Sequence, residues 1–197
     1  MRVPSTVCVD APRVVLLPGV VGSAFSMRHV IAGLERRGIG VLVIDPLGMG
    51  ASSWPRDADY SLDAQATRVL AVLDSLAWPR AVLVGQGTSA TIALRAAARA
   101  PARVSAIGSI AGGPVASQHT EGVRTALRFG RLLNTPPGRA LARRHFAREL
   151  RARAVQPDWI TPDIERTYVA PLLDDVPRAL RAMQGMHTAT EAVALDL

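Results

Sequence analysis

Apolar residues in the first half of the chain fall into short runs at 6–9, 14–17, 40–44, 81–84 and 104–110. These runs lack polar alternation. Each therefore predicts a strand covered on both faces, the kind found in parallel sheets. Between most of them the apolar positions recur at helical spacing. Over 26–37, Met27, Val30, Ile31 and Leu34 share one face, with Ser26 placed to cap the start and Gly38 to end it. Over 63–76, Val69, Leu70, Leu73 and Leu76 do the same. The stretch 88–100 is alanine-rich, and Arg95 and Arg99, four apart, mark its exposed stripe. Strands alternating with helices predict an α/β fold of three layers, with a parallel sheet in the middle. After Gly112 the pattern changes. Helical spacing continues at 121–133, 139–154, 162–169 and 177–183, and no strand run follows. Pro136-Pro137-Gly138 predicts a break between two helices, and Thr161-Pro162-Asp163 predicts a helix start. The chain thus divides into a sheet-bearing core at 1–112 and a helical subdomain at 113–197.

Composition narrows the function classes. A chain of 197 residues that is 49% hydrophobic, with mean hydropathy +0.19, can bury a sizeable core and does not read as disordered. No apolar run approaches the roughly 18 residues of a membrane span. The start, Met1-Arg2-Val3-Pro4, lacks the core of a signal peptide. The single cysteine, Cys8, leaves no internal disulfide and no cysteine-cluster metal site, so the expected setting is cytoplasmic, with no metal or cofactor. The formal charge is +7, and all 23 basic residues are arginine, a uniformity that points to coding bias. The densest basic cluster is Arg139, Arg143, Arg144, Arg148, Arg151 and Arg153, with Phe146 the one aromatic among them. It reads as a solvated helix face, open to weak attraction by polyanions, and not as a nucleic-acid surface.

The chemistry concentrates in Val84-Gly85-Gln86-Gly87-Thr88-Ser89-Ala90, a glycine turn between a strand and a helix. One reading is a dinucleotide-binding G-x-G-x-x-A turn, with a pyrophosphate at the helix N-terminus. Its position counts against it, because three or four strands precede it and the next strand ends in glycine and alanine without an acid. The other reading draws on more of the chain. Leu16-Leu17-Pro18-Gly19-Val20, Asp45-Pro46-Leu47-Gly48-Met49-Gly50-Ala51-Ser52, Tyr60-Ser61-Leu62-Asp63 and the glycine turn stand in an order and spacing that resembles the α/β-hydrolase superfamily. Residues 104–113 resemble the strand and loop that close the first half of that fold. Ile160-Thr161-Pro162 and Tyr168-Val169-Ala170-Pro171-Leu172 resemble its helical cap.

The resemblance implies a nucleophile at the apex of the turn, where a sharp bend exposes the side chain. Gly87 occupies that apex, Gln86 stands where a histidine is usual, and Ser89 stands where the second glycine is usual. In the family the acid and the histidine follow two later strands, and this chain stops about where the cap ends. The resemblance therefore implies a truncated, degenerate member without turnover, comparable to the Ndr-like group with glycine at the apex. An alternative is a fragment of a longer gene. The backbone N–H groups of Val20 and Thr88 correspond to the oxyanion donors and need no particular side chain, so a small molecule or anion could still bind. An active alternative uses Ser89 with His119 or His187 as an esterase or amidase. Thr88 and Ser89 otherwise cap the helix. His29 and His145 fall on polar helix faces, and Asp45 falls in a loop with a structural role. The strand at 104–110 would form an apolar sheet edge, which predicts self-association or a partner chain.

Overall fold

The computed structural model of the chain describes residues 12–20, 22–112 and 128–187. The strand expected at 6–9 lies outside them. The other four are present: β1 (Arg13–Leu17), β2 (Gly40–Val43), β3 (Ala81–Gln86) and β4 (Val104–Ile110). They form one sheet of order β2-β1-β3-β4 in which every pair is parallel. Parallel neighbours need crossover connections, which the intervening helices supply. These are α1 (Arg28–Glu35), α2 (Leu62–Ser75) and α3 (Thr88–Arg99).

Side-chain alternation sorts the two faces. Val14 and Leu16 of β1 pack with Met27, Ile31 and Leu34 on the α1 side. Val15, Leu17 and Leu83 pack with Ala66, Val69, Leu73, Ile92 and Ala96 of α2 and α3 on the other. The result is the expected three-layer α/β arrangement, with β1 covered on both sides as its unbroken apolar run predicts. At β4 the expectation of full cover fails. No further described strand pairs with its outer side, and Ile107 and Ile110 are each 37% exposed.

Three local expectations need correction. The helix expected from Ser26 begins with a short 3-10 turn, Ala24–Met27, so the cap moves upstream: Ser23 Oγ accepts from Phe25 N at 3.3 Å. The Arg95–Arg99 stripe is exposed at Arg99 alone. Arg95 is only 6% exposed and pairs with Asp63 on α2, while Arg99 Nη2 lies 3.5 Å from Asp63 Oδ1. Arg95 lies in the seam where α3 meets α2, a neighbour that helical periodicity cannot supply. The expected break between two helices is present, but at Asn134-Thr135, between Gly130–Leu133 and Pro136–Arg153. Pro136 and Pro137 form the first turn of the second helix, capped by Thr135 Oγ1 accepting from Gly138 N at 3.2 Å. Proline suits that turn because its missing N–H would have had no intrahelical acceptor.

The later helices are α4 (Gly130–Leu133), α5 (Pro136–Arg153), α6 (Pro162–Leu173) and α7 (Val176–His187). The Thr161 start is confirmed, since its Oγ1 accepts from Ile164 N at 3.3 Å. Leu173, Val176, Leu180 and Met183 form a second apolar cluster, with Leu133, Ala142 and Phe146 against it. Two links join this cluster to the sheet. Ala182 and Met186 of α7 belong to the main core beside Met49 and Tyr60. On the other side, Arg28 Nη1 donates to Phe25 O at 3.0 Å and to the Tyr168 hydroxyl at 3.2 Å. Its guanidinium lies 4.3, 5.6 and 5.8 Å from the rings of Phe25, Trp159 and Tyr168.

Candidate functional site

The site is built around the strand-to-helix turn after β3. Gly87 has φ +56° and ψ −127°, a conformation that side chains rarely adopt, and it is the residue before α3. That backbone is the sharp bend the motif predicts. Three contacts hold it. Gly87 N donates to Ile110 O at 2.9 Å, which ties the bend to the end of β4. Gly85 passes so close to α3 that a Cβ there would lie 2.3 Å from Ser89 O. Gly112 passes over the bend, where a Cβ would lie 2.3 Å from Gly87 O. At Gly87 itself a Cβ would meet nothing within 4 Å. The apex is thus shaped and vacant of side chain, while its neighbours are packed tight.

Ser89, the alternative nucleophile, is fully buried at 0% exposure, and its Oγ donates to Pro18 O at 2.5 Å. It points into the joint between β1 and α3, away from the exposed apex. Its hydroxyl there fixes the Pro18-Gly19 loop to the turn. Gln86 makes a second link, accepting from Gly19 N through Oε1 at 3.4 Å. The loop bearing Val20 is therefore held against the turn from two sides. Thr88 opens α3, where backbone N–H groups have no intrahelical acceptor. His119 lies outside the described residues. His187 is the last residue of α7, and His29 and His145 are exposed on α1 and α5. Among the described residues no group of three His, Cys, Asp or Glu side chains is arranged to hold a metal ion.

The Asp45 loop forms another wall. Asp45 Oδ2 accepts from Ala51 N at 2.9 Å, and Ser52 Oγ donates to Asp45 O at 2.5 Å. Burial raises the pKa of this carboxyl above its ordinary value, and the N–H groups of Ala51 and Ala24 offset part of that rise. A Cβ on Gly50 would collide with the carboxylate, so the loop closes around it. A residue the sequence reading passed over completes the support. Gln65, 1% exposed, accepts from Leu47 N at 3.0 Å and donates to Leu47 O at 2.8 Å. Its signal was present: it stands four residues before Val69, on the buried face of α2.

Over this loop lies α7. The crevice between them is lined by Val20, Gly48, Met49, Trp54, Met183 and Met186, and its volume is about 10 Å³. That is room for about one water molecule. Gly48 and Gly185 allow the close seating, since a Cβ on Gly48 would lie 2.6 Å from Ala182 Cβ and one on Gly185 would lie 2.6 Å from Tyr60 Cβ.

Comparison with known proteins agrees with this geometry. A family model described as alpha/beta hydrolase fold matches residues 12–192. The match displaces the dinucleotide-binding reading of the glycine turn. The chain is 34% identical over 98 residues to RutD of Variovorax paradoxus (strain S110), provisionally named a carbamate hydrolase; the match covers 50% of this chain and 37% of that protein. It is 37% identical over 83 residues to the 2-hydroxymuconate semialdehyde hydrolase of Pseudomonas sp. (strain CF600), covering 42% of this chain and 29% of that one. A crystal structure of an α/β-hydrolase fold protein from Burkholderia ambifaria superposes with TM-score 0.72 at 25% identity, over 90% of this chain and 64% of the other. The matches thus span about a third of the two named hydrolases and under two thirds of the solved structure.

Proposed function

The chain belongs to the α/β-hydrolase fold family, and from that premise we propose that it keeps the family's elbow as a binding scaffold without hydrolytic turnover. The observation that carries this reading is Gly87 at the apex, bent as the elbow requires and bearing no Oγ, thiol or carboxylate. With no nucleophile at the apex and no base beside it among the described residues, a pair of backbone donors binds but does not turn over. Those donors are the N–H groups of Val20 and Thr88, and the ligand class they suit is a small carboxylate or similar anion. Residues 1–112 serve as the core and 113–197 as the cap. The outer edge of β4, which pairs with no described strand, is where a second copy or another chain would pair.

The test is turnover of p-nitrophenyl acetate together with labelling by a fluorophosphonate probe. The expected result is no labelling above a heat-denatured control. Gly87→Ser is expected to stay inactive, because the described histidines nearest in sequence, His29 and His145, face solvent on helices. Stoichiometric labelling at Ser89, abolished in Ser89→Ala, would overturn the proposal.

A further inference from the structure

Helix α5 (Pro136–Arg153) carries six arginines and one glutamate, so five of the chain's seven net positive charges fall on one helix. Arg143, Arg144 and Arg148 are exposed, as a solvated face requires, but the face is not smooth. Two open cavities flank it. The first, of about 470 Å³, is lined by Arg139 and Arg143 with Leu173 and Asp174. The second, of about 390 Å³, runs between α5 and α6; Arg143, Arg144, Arg148 and Arg151 line it, above Ala140 and Ala147. Of the two alanines, Ala147 is buried and Ala140 is exposed. One guanidinium already holds an oxyanion there: Arg151 Nη2 lies 2.6 Å from Glu165 Oε2. Among the described residues Arg143, Arg144 and Arg148 have no carboxylate partner.

We propose that the groove between α5 and α6 binds a polyphosphate through Arg143, Arg144 and Arg148. This site is separate from the elbow and does not depend on the reading of the elbow. Three features select the ligand. Guanidinium forks match phosphate oxygens in pairs. From Arg143 to Arg148 the helix rises only about 7.5 Å. Side chains on one face of an extended peptide recur at about 7 Å, so two acidic residues would span what three arginines occupy. Consecutive phosphates of a polyphosphate pack their charges more densely. Finally, no aromatic ring lines either cavity, so nothing there would stack a nucleobase.

The experiment is calorimetric titration of the full chain with inorganic tripolyphosphate at low ionic strength, with orthophosphate, ATP and single-stranded oligouridylate in parallel. Tripolyphosphate and ATP are expected to bind alike and to compete, orthophosphate far more weakly, and affinity is expected to fall as salt is raised. Arg144→Gln with Arg148→Gln should weaken tripolyphosphate about tenfold per guanidinium removed. The charge-matched control, Arg36→Gln with Arg80→Gln, removes two exposed arginines elsewhere and should leave affinity within about twofold. Circular dichroism checks that both variants fold, and Arg143→Gln gives an independent reading if the double variant does not. Equal weakening in the control would reduce the effect to net charge and overturn the site. So would absence of tripolyphosphate binding, binding of ATP alone, or oligouridylate binding that tripolyphosphate fails to displace.

Discussion

Gln65→Met tests how the Asp45–Ser52 loop is held. The wild-type amide is 1% exposed and clamps Leu47 from both sides, accepting from its N–H at 3.0 Å and donating to its C=O at 2.8 Å. Methionine fills nearly the same volume and offers neither partner. Each main-chain group left unpaired costs about 1–3 kcal/mol, the carbonyl less than the N–H. Extra apolar burial by methionine returns about 1 kcal/mol. The net expectation is a loss of about 2–4 kcal/mol, a large share of the roughly 5–15 kcal/mol that holds a domain together. With a urea slope of about 2 kcal/mol per molar, the unfolding midpoint should fall by about 1–2 M. Trp54 lines the crevice that this loop shares with α7, so its fluorescence should report loosening there before global unfolding. Gln65→Glu adds a signed control. A buried carboxylate facing Leu47 O repels it, whereas the protonated acid can donate to it. That variant should therefore be more stable in acid and lose stability as pH rises through its raised pKa. A midpoint within about 0.3 M of wild type for Gln65→Met would refute the clamp, because it would fall below the cost of even one orphaned group.

Three further outcomes follow from the same geometry. Gly85→Ala places a Cβ 2.3 Å from Ser89 O and must displace α3, costing about 3 kcal/mol or more. Gly87→Ala meets only its own backbone conformation, at about 1–2 kcal/mol; urea midpoints in the reverse order would contradict the packing described. Asp45 is more easily protonated in the folded chain than in the unfolded one, so its contribution is full below the ordinary carboxylate pKa and is lost as pH rises through the raised value. Asp45→Asn should flatten that decline above the ordinary carboxylate pKa, and an unchanged slope would show that other groups cause it. Arg28→Ala removes hydrogen bonds to Phe25 O and the Tyr168 hydroxyl and contacts with the rings of Phe25, Trp159 and Tyr168, at about 1–3 kcal/mol. Trp159 emission should shift to the red and proteolysis of α6 should quicken, whereas unaltered digestion would show that Arg28 does not hold α6 in place.

Much of the core is legible in the chain because its signals are local. The apolar runs of β1, β2 and β3 need no knowledge of their neighbours, and the run 104–110 matches β4 end to end. The bend at Gly87 follows from strand, glycine turn and helix in sequence. Errors arise where a residue's partner is distant in sequence. Arg95 has the spacing of a solvent stripe, yet Asp63 on another helix takes it out of water. Ser89 has the chemistry of a nucleophile, yet the carbonyl of Pro18, 71 positions earlier, takes its hydroxyl. Gln65 looks like one more polar helix residue until the Leu47 backbone arrives beside it.

By itself, then, the amino-acid order determined the three-layer class, the place of the elbow and the absence of a nucleophile at its apex. The class rests on periodicity and residue identity in short windows, whereas the place of the elbow rests on the order and spacing of motifs that resemble the α/β-hydrolase superfamily. Only the tertiary structure decided that α7 seats on the Met49 loop and leaves about 10 Å³, and that the arginines of α5 line a groove beside α6. Both depend on how closely two helices or a helix and a loop approach. In the first case that distance is set by small residues on both partners, Gly48 and Ala182. A helical repeat records which residues share a face and carries no information about what that face will meet.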